Sequence, residues 1–248
     1  MKIVILAGGK GSRISRITKK IPKPMIKINN LTILEHILNI YSSQGYKDFI
    51  IPVGYKGSLI KKHFKKLRYK KDIYKIKNLN YVKILFVQTG LNTMTGGRLK
   101  LIKKLITSEN KNFMVTYGDG LANINLKKLE KFHLKKNKIA TLTAVRPLSR
   151  YGVLDIQGSK VKVFEEKKPL KTGWINGGFF IFNKKIFNYL KAKSTVLEKE
   201  PLENLAKKNQ LTAYKHFSFW HSIDTIRDKE YLESILKNTK KTPWIHND

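Results

Sequence analysis

Three glycines within four residues, then a hydroxyl and a guanidinium, make Gly8-Gly9-Lys10-Gly11-Ser12-Arg13 a place where phosphate oxygens can be bound. Glycine lets main-chain N–H groups approach a ligand closely and adopt positive φ. Successive N–H groups in such a turn form a concave anion cradle, and the arginine adds a planar fork matched to phosphate. Lys23 stands between Pro22 and Pro24. Each proline forces its predecessor out of helical geometry, so residues 21–25 are expected as an extended connector that mounts the ammonium stiffly. Asp119 lies between two glycines, directly after the apolar run 113–117. A carboxylate at the carboxyl end of a central strand is where a metal ligand for phosphate chemistry belongs; an Asp-Gly turn is the alternative. Asp224 follows the aromatic stretch 219–223. It would complete a hard-oxygen site for Mg2+ between phosphates, or it is an ordinary cap residue ahead of Thr225. His221 reads as a structural histidine before a metal ligand. No Ser/His/Asp arrangement and no His/Glu zinc spacing stands out.

Two common phosphate-loop fingerprints do not fit. The dinucleotide motif requires a glycine three residues after Gly11, where Ile14 stands, and the P-loop requires an earlier glycine and a hydroxyl directly after Gly9-Lys10.

These groups need a framework. Ile3-Val4-Ile5-Leu6 is a short uncharged β-branched run and reads as a buried strand entering the glycine loop. Thr32-Ile33-Leu34-Glu35 is a capping box that opens a helix to about residue 44, with Gly45 as its stop. Strands are expected at 49–53, 82–87, 113–117 and 140–145. Helices are expected from 57 to about 66, from Arg98 onward after a loop at 88–97, and over 126–135. Residues 67–82 carry no clear pattern. Alternation of strands and helices predicts a parallel sheet covered on both faces. Beyond residue 150 the rhythm changes. A hairpin is expected over 151–164, turning at Gln157-Gly158-Ser159, then a buried strand at 177–182. Helices follow near 184–190 and 202–208, with short strands at 211–215 and 219–223. A last helix is capped by Thr225 with Asp228 at its third position. The tail 238–248 reads as a packed arm.

Composition narrows the function classes. A chain of 248 residues with 41% hydrophobic content can bury a substantial core. There is no cysteine, so neither a disulfide framework nor a thiolate nucleophile is available. The amino-terminal apolar run is too short for a signal-peptide core, and no stretch approaches a membrane span. A cytoplasmic protein without membrane attachment is expected. Of 51 basic residues only seven are arginine, and the net charge of +34 is spread along the whole chain. A nucleic-acid reader would cluster its charge and interleave aromatics, so a solvated lysine-rich surface is expected and nucleic acid is not. The same field would draw in polyanionic small substrates.

The run Ile5-Leu6-Ala7-Gly8-Gly9-x-Gly11-Ser12-Arg13 together with Lys23-Pro24-Met25 resembles the signature of the sugar-1-phosphate nucleotidyltransferases. Met94-Thr95-Gly96-Gly97-Arg98-Leu99, Thr116-Tyr117-Gly118-Asp119-Gly120, Ile175-Asn176-Gly177-Gly178-Phe179-Phe180 and Phe219-Trp220 with Asp224-Thr225 resemble the branch that joins CTP to glucose 1-phosphate. The match spans nearly the whole chain in order. It implies an α/β, Rossmann-like three-layer fold with a mixed, mainly parallel central sheet and a β-rich, helical C-terminal half. One domain over 1–248 is expected, with a nucleotide-binding half (1–146), a sugar-phosphate half (147–237) and a C-terminal arm (238–248). A homo-oligomer is implied.

By the same resemblance Leu6, Ala7, Gly8, Gly9 and Lys10, with Gly11, Ser12 and Arg13, would hold CTP, and Lys23 its phosphates. Thr93, Arg98 and Gly118 would complete the nucleotide site. Asp119 and Asp224 would share Mg2+. Glu166 and Lys167 would face the sugar phosphate and Asn176 the glucose hydroxyls. Arg13, Lys23, Asp119 and Lys167 would be the catalytic set. Departures from the family pattern are Lys10 in place of an apolar residue, Ser12 in place of threonine, and His221-Ser222 ahead of the second aspartate. Glu166-Lys167-Lys168-Pro169 also carries one extra lysine, so Lys168 rivals Lys167.

Overall fold

The computed structural model describes residues 1–77, 81–106, 109, 111–147, 149, 151–165, 173–239 and 242–246. Its centre is a nine-stranded mixed sheet. In spatial order the strands are Leu211–Lys215, Ala140–Val145, Ile175–Asn183, Asn112–Tyr117, Ile3–Leu6, Asp48–Val53, Tyr81–Gln88, Ile73–Lys75 and Arg68–Lys70. The four strands from Asn112–Tyr117 to Tyr81–Gln88 run parallel to one another. Ile175–Asn183 lies antiparallel between Asn112–Tyr117 and Ala140–Val145.

Strand period two divides the first strand between the two faces. Ile3 and Ile5 enter one apolar cluster with the helix Ile33–Ser42, while Val4 and Leu6 enter the other with Leu99 and Leu205. The result is three layers. After Ile3–Leu6 the chain adds Asp48–Val53 and then Tyr81–Gln88 on one side, and crosses back to place Asn112–Tyr117 on the other. That reversal is a topological switch point, which opens a crevice at the carboxyl ends of adjacent strands.

Both capping boxes form. Thr32 accepts from the Glu35 N–H at 3.2 Å, and Thr225 accepts from the Asp228 N–H at 3.2 Å. Residues 67–82, patternless in sequence, contribute the short edge strands Arg68–Lys70 and Ile73–Lys75. The hairpin is present as Val153–Gln157 and Lys160–Glu165. Trp244 of the C-terminal arm is fully buried and donates Nε1–H to His36 Nδ1 at 3.2 Å.

Three expectations are corrected. The segment around Lys23 is not extended throughout: Lys23–Met25 forms one 3-10 turn. The bonds that close it run from Met25 N–H to Pro22 O and from Ile26 N–H to Lys23 O, so neither needs a proline N–H. The helix expected from Arg98 spans Thr95–Leu101 and so includes Gly96 and Gly97. Glycine is a poor helix former, but here packing decides, because a Cβ on Gly97 would fall 2.1 Å from Lys193 O. The segment near 184–190 is a 3-10 helix, Lys184–Tyr189. Among the described residues no helix is long and apolar enough to cross a membrane.

Candidate active site

The crevice at the switch point is an open cleft of ≈ 620 Å³. One wall is the loop leaving Ile3–Leu6. Gly11 holds φ +63, a left-handed conformation that favours glycine, and starts the 3-10 turn Ser12–Ile14. Among the described residues no main-chain hydrogen bond uses an N–H of Gly8 to Ser12 as donor. Polar main-chain groups left unpaired beside a cleft are the chemistry of an anion cradle.

Behind this loop lies Arg98, only 3% exposed. Its guanidinium donates to Gly8 O at 2.8 Å, Gly90 O at 3.1 Å and Thr89 Oγ1 at 2.5 Å. A Cβ on Gly8 would lie 2.2 Å from the Arg98 guanidinium carbon, so the loop passes close over the arginine because Gly8 lacks a side chain. Arg98 lines the cleft and braces its floor.

The opposite wall follows Asn112–Tyr117, where the chain passes through Gly118 and Asp119 into Gly120–Ala122. Gly120–Ala122 pairs antiparallel with Trp220–Ser222, in the register Ser222 opposite Gly120. The ladder continues with Ile223 N–H donating to Asp119 O at 3.0 Å. The second carboxylate is thereby delivered next to the first, 105 positions after it in numbering (224 less 119). Asp228 secures it: its Oδ2 accepts from the N–H groups of Asp224 at 2.8 Å and Thr225 at 2.6 Å.

Lys23 is 8% exposed and reaches between the two carboxylates. Its Nζ lies 2.7 Å from Asp119 Oδ2 and 2.8 Å from Asp224 Oδ1. Arg13, on an exposed side chain, lies 2.9 Å from Asp224 Oδ2. Burial pulls the Lys23 ammonium down, but Asp119 and Asp224 outweigh it and hold it above the ordinary lysine value. Burial likewise pushes Asp224 up, and Lys23 and Arg13 outweigh it and hold the carboxyl below the usual range. Two carboxylates sharing one cation are hard oxygen donors, and they fit a divalent ion whose other ligands are phosphate oxygens and water. Among the described residues no group of three or more His, Cys, Asp or Glu could hold a metal without such help.

The cleft brings together Leu6, Ala7, Gly8, Gly9, Gly11, Ser12, Arg13, Lys23, Thr93, Arg98, Gly118, Asp119, Asn176 and Asp224. Lys10 is exposed and is not brought into the lining. Glu166 and Lys167, with the rival Lys168, lie outside the described residues. His221 lies 3.3 Å from Asp228, consistent with a structural histidine.

Sequence reasoning passed over Thr95, Tyr117, Glu198 and Trp220, which also line the cleft. Thr95, Tyr117 and Trp220 lie inside the motifs that carry the family resemblance, which attaches no role to them. Glu198 had one signal, the scarcity of acids in the chain, with 17 Asp and Glu against 51 Lys and Arg.

The model of the family described as "Nucleotidyl transferase" matches residues 2–234. The chain is 42% identical over 235 residues to a probable glucose-1-phosphate cytidylyltransferase of Bacillus subtilis, covering 90% of this chain and 91% of that one. It is 41% identical, with the same coverage, to the glucose-1-phosphate cytidylyltransferase of Salmonella typhimurium. The crystal structure of HddC from Yersinia pseudotuberculosis superposes with a TM-score of 0.72 at 27% identity, covering 95% of this chain and 99% of that one. With a switch-point cleft, paired carboxylates and a glycine loop of the expected kind, and with these likenesses across nearly its whole length, the chain belongs to the nucleotidyl transferase family.

Proposed function

We propose that the protein joins CTP to α-D-glucose 1-phosphate, forming CDP-glucose and pyrophosphate. A phosphate oxygen of glucose 1-phosphate attacks the α-phosphorus of CTP in line, and the bond from that phosphorus to the bridging oxygen breaks, releasing pyrophosphate. The observation that carries this reading is the meeting of Asp119, Asp224 and Lys23 beside the open amides of the glycine loop. The identity to relatives of that name supports the choice of nucleotide and sugar.

No enzyme nucleophile is needed, because the sugar phosphate is itself the nucleophile. The protein must hold two polyanions together and neutralise them, as in other phosphoryl transfers. In this reading Gly8, Gly9 and Gly11 offer preorganised N–H donors, with Leu6, Ala7, Lys10 and Ser12 completing the loop. Thr93, Arg98 and Gly118 border the nucleotide. Arg13 and Lys23 balance the departing pyrophosphate. Glu166 and Lys167 hold the sugar phosphate, and Asn176 meets the glucose hydroxyls. Asp119 and Asp224 hold Mg2+, which when bound screens the phosphate charge.

Both halves of the chain feed the central sheet, so we read residues 1–248 as one domain. The hairpin Val153–Gln157 and Lys160–Glu165 exposes Leu154, Ile156, Val161 and Phe164, an apolar surface that supports self-association.

The test is pyrophosphate release with glucose 1-phosphate and Mg2+, using CTP, UTP, dTTP and GTP in turn. CTP is expected to give the highest kcat/KM. Faster release from another triphosphate would move the assignment to that nucleotide.

A further inference from the structure

We infer that Glu198 and Tyr117 are a positioning pair that aims the Asn176 amide at the sugar and ties it to the nucleotide side of the cleft. This rests on the reading of Asn176 as a sugar-hydroxyl ligand.

Glu198 lies in the turn before the helix Glu200–Lys207 and lines the cleft. Its Oε2 accepts from Thr95 Oγ1 at 2.7 Å, and its Oε1 accepts from the Tyr117 hydroxyl at 2.5 Å. An ionised carboxylate only accepts, so Tyr117 must give it its single proton. The phenol oxygen is then left as an acceptor, and Asn176 Nδ2 donates to it at 3.3 Å. Asn176 Oδ1 accepts from Gly178 N–H at 2.9 Å, which agrees with that orientation of the amide. The second N–H of the amide is the group that meets a sugar hydroxyl.

The other end of the chain of bonds reaches the nucleotide loop. Thr95 is the first residue of the helix Thr95–Leu101, and that helix carries Arg98, which donates to Gly8 O. Thr95 Oγ1 also accepts from Leu197 N–H at 2.9 Å, so the turn bearing Glu198 is pinned to the helix start. Directed hydrogen bonds therefore join Thr95, Glu198, Tyr117 and Asn176, and the backbone of the helix Thr95–Leu101 connects them to Arg98 and its bond to Gly8. Without the carboxylate the phenol could turn its proton toward Asn176, and the amide would lose its fixed sense.

The experiment compares Tyr117→Phe, Glu198→Ala, Glu198→Gln, Asn176→Ala and the double variant Tyr117→Phe/Asn176→Ala. KM for glucose 1-phosphate, KM for CTP and kcat are measured for each. Tyr117→Phe and Glu198→Ala are expected to raise KM for glucose 1-phosphate about tenfold while KM for CTP stays within about twofold, the scale of one well-placed hydrogen bond. Glu198→Gln, whose amide oxygen still accepts the phenol proton, is expected to recover most of the loss. The double variant is expected to be no worse than Asn176→Ala, because Tyr117 acts through that residue. An equal rise in both KM values, or additive losses in the double variant, would overturn the pair's role. Should Tyr117→Phe fail to fold, the same decision rests on Glu198→Gln against Glu198→Ala. If the wild type favours another triphosphate or sugar phosphate, the proposed function falls. The same comparisons are then read on that substrate pair.

Discussion

Lys23 Nζ lies 2.8 Å from Asp224 Oδ1, although the two residues are 201 positions apart. With Asp119 Oδ2 at 2.7 Å on its other side, the ammonium sits where two carboxylates would share a divalent cation. Lys23 pairs with both carboxylates, so under the proposed function a divalent ion would compete with it for them. Lys23→Met is expected to bind Mn2+ more tightly than the wild type when nucleotide is absent, because an uncompensated carboxylate pair attracts a cation. Paramagnetic resonance of free Mn2+ measures this directly. Equal or weaker binding by the variant would show that the lysine does not hold the place of the metal.

Under the proposed function turnover depends on both carboxylates. Asp119→Ala and Asp224→Asn are each expected to lower kcat by about 10²-fold or more, the usual cost of removing a preorganised electrostatic element. Steady-state pyrophosphate release with Mg2+ checks it. Near-wild-type turnover in Asp119→Ala would mean that this carboxylate has no part in the metal site.

Under the proposed function Arg98 joins stability to nucleotide binding. Arg98→Ala leaves the carbonyls of Gly8 and Gly90 and the Thr89 hydroxyl without their buried donor. A loss of roughly 2–4 kcal/mol is expected from such unsatisfied groups, together with a higher KM for CTP. Urea unfolding gives the first and kinetics the second. A change below about 0.5 kcal/mol would show that the loop stands without its brace.

Asp228 gives the fold a defined acid limb. Burial pushes its carboxyl up, but His221, the N–H groups of Asp224 and Thr225 and the Thr225 hydroxyl outweigh this and draw it down to about 2 from 3.8. A folded value below the unfolded one contributes stability that is fully present above the unfolded value. The contribution is lost as pH falls from 3.8 through about 2. It amounts to about 2 kcal/mol. Asp228→Asn is expected to be less stable at neutral pH and to show a flatter decline over that window. An unchanged acid limb in chemical denaturation at stepped pH would remove Asp228 from this role.

The two adjacent lysines can be separated by substrate. Lys167→Ala is expected to raise KM for glucose 1-phosphate at least about tenfold, the scale of a lost charge-assisted hydrogen bond. Lys168→Ala is expected to leave it within about twofold. The reverse pattern would give the sugar phosphate to Lys168.

Local patterns read correctly from the residues. The glycine loop, the aspartate after an apolar strand and the two capping boxes each lie within a few positions, where backbone sterics and short-range hydrogen bonds act alone. Gly96 and Gly97 misled for the opposite reason. Their weak helix propensity points to a loop, and only the close approach of Thr195 to Gly96 and of Lys193 to Gly97 explains why the helix needs them. The turn at Lys23 escaped notice because two flanking prolines suggest an extended chain, whereas a 3-10 turn can close without using either proline's missing N–H.

By itself the sequence determined the chemistry on offer: an amide-lined loop, a clamped lysine and two acids that suit a phosphate-bound cation. Whether Asp224 was a ligand or a helix cap stayed open. The fold binds its backbone N–H to Asp228 and places its side chain in the cleft beside Lys23. That outcome comes from the register of Trp220–Ser222 on Gly120–Ala122, a pairing between strands about 100 residues apart. The partnership of Glu198 with Tyr117, across 81 positions, is of the same kind. Such contacts are set by how layers pack around a common core, and no local run of residues records them.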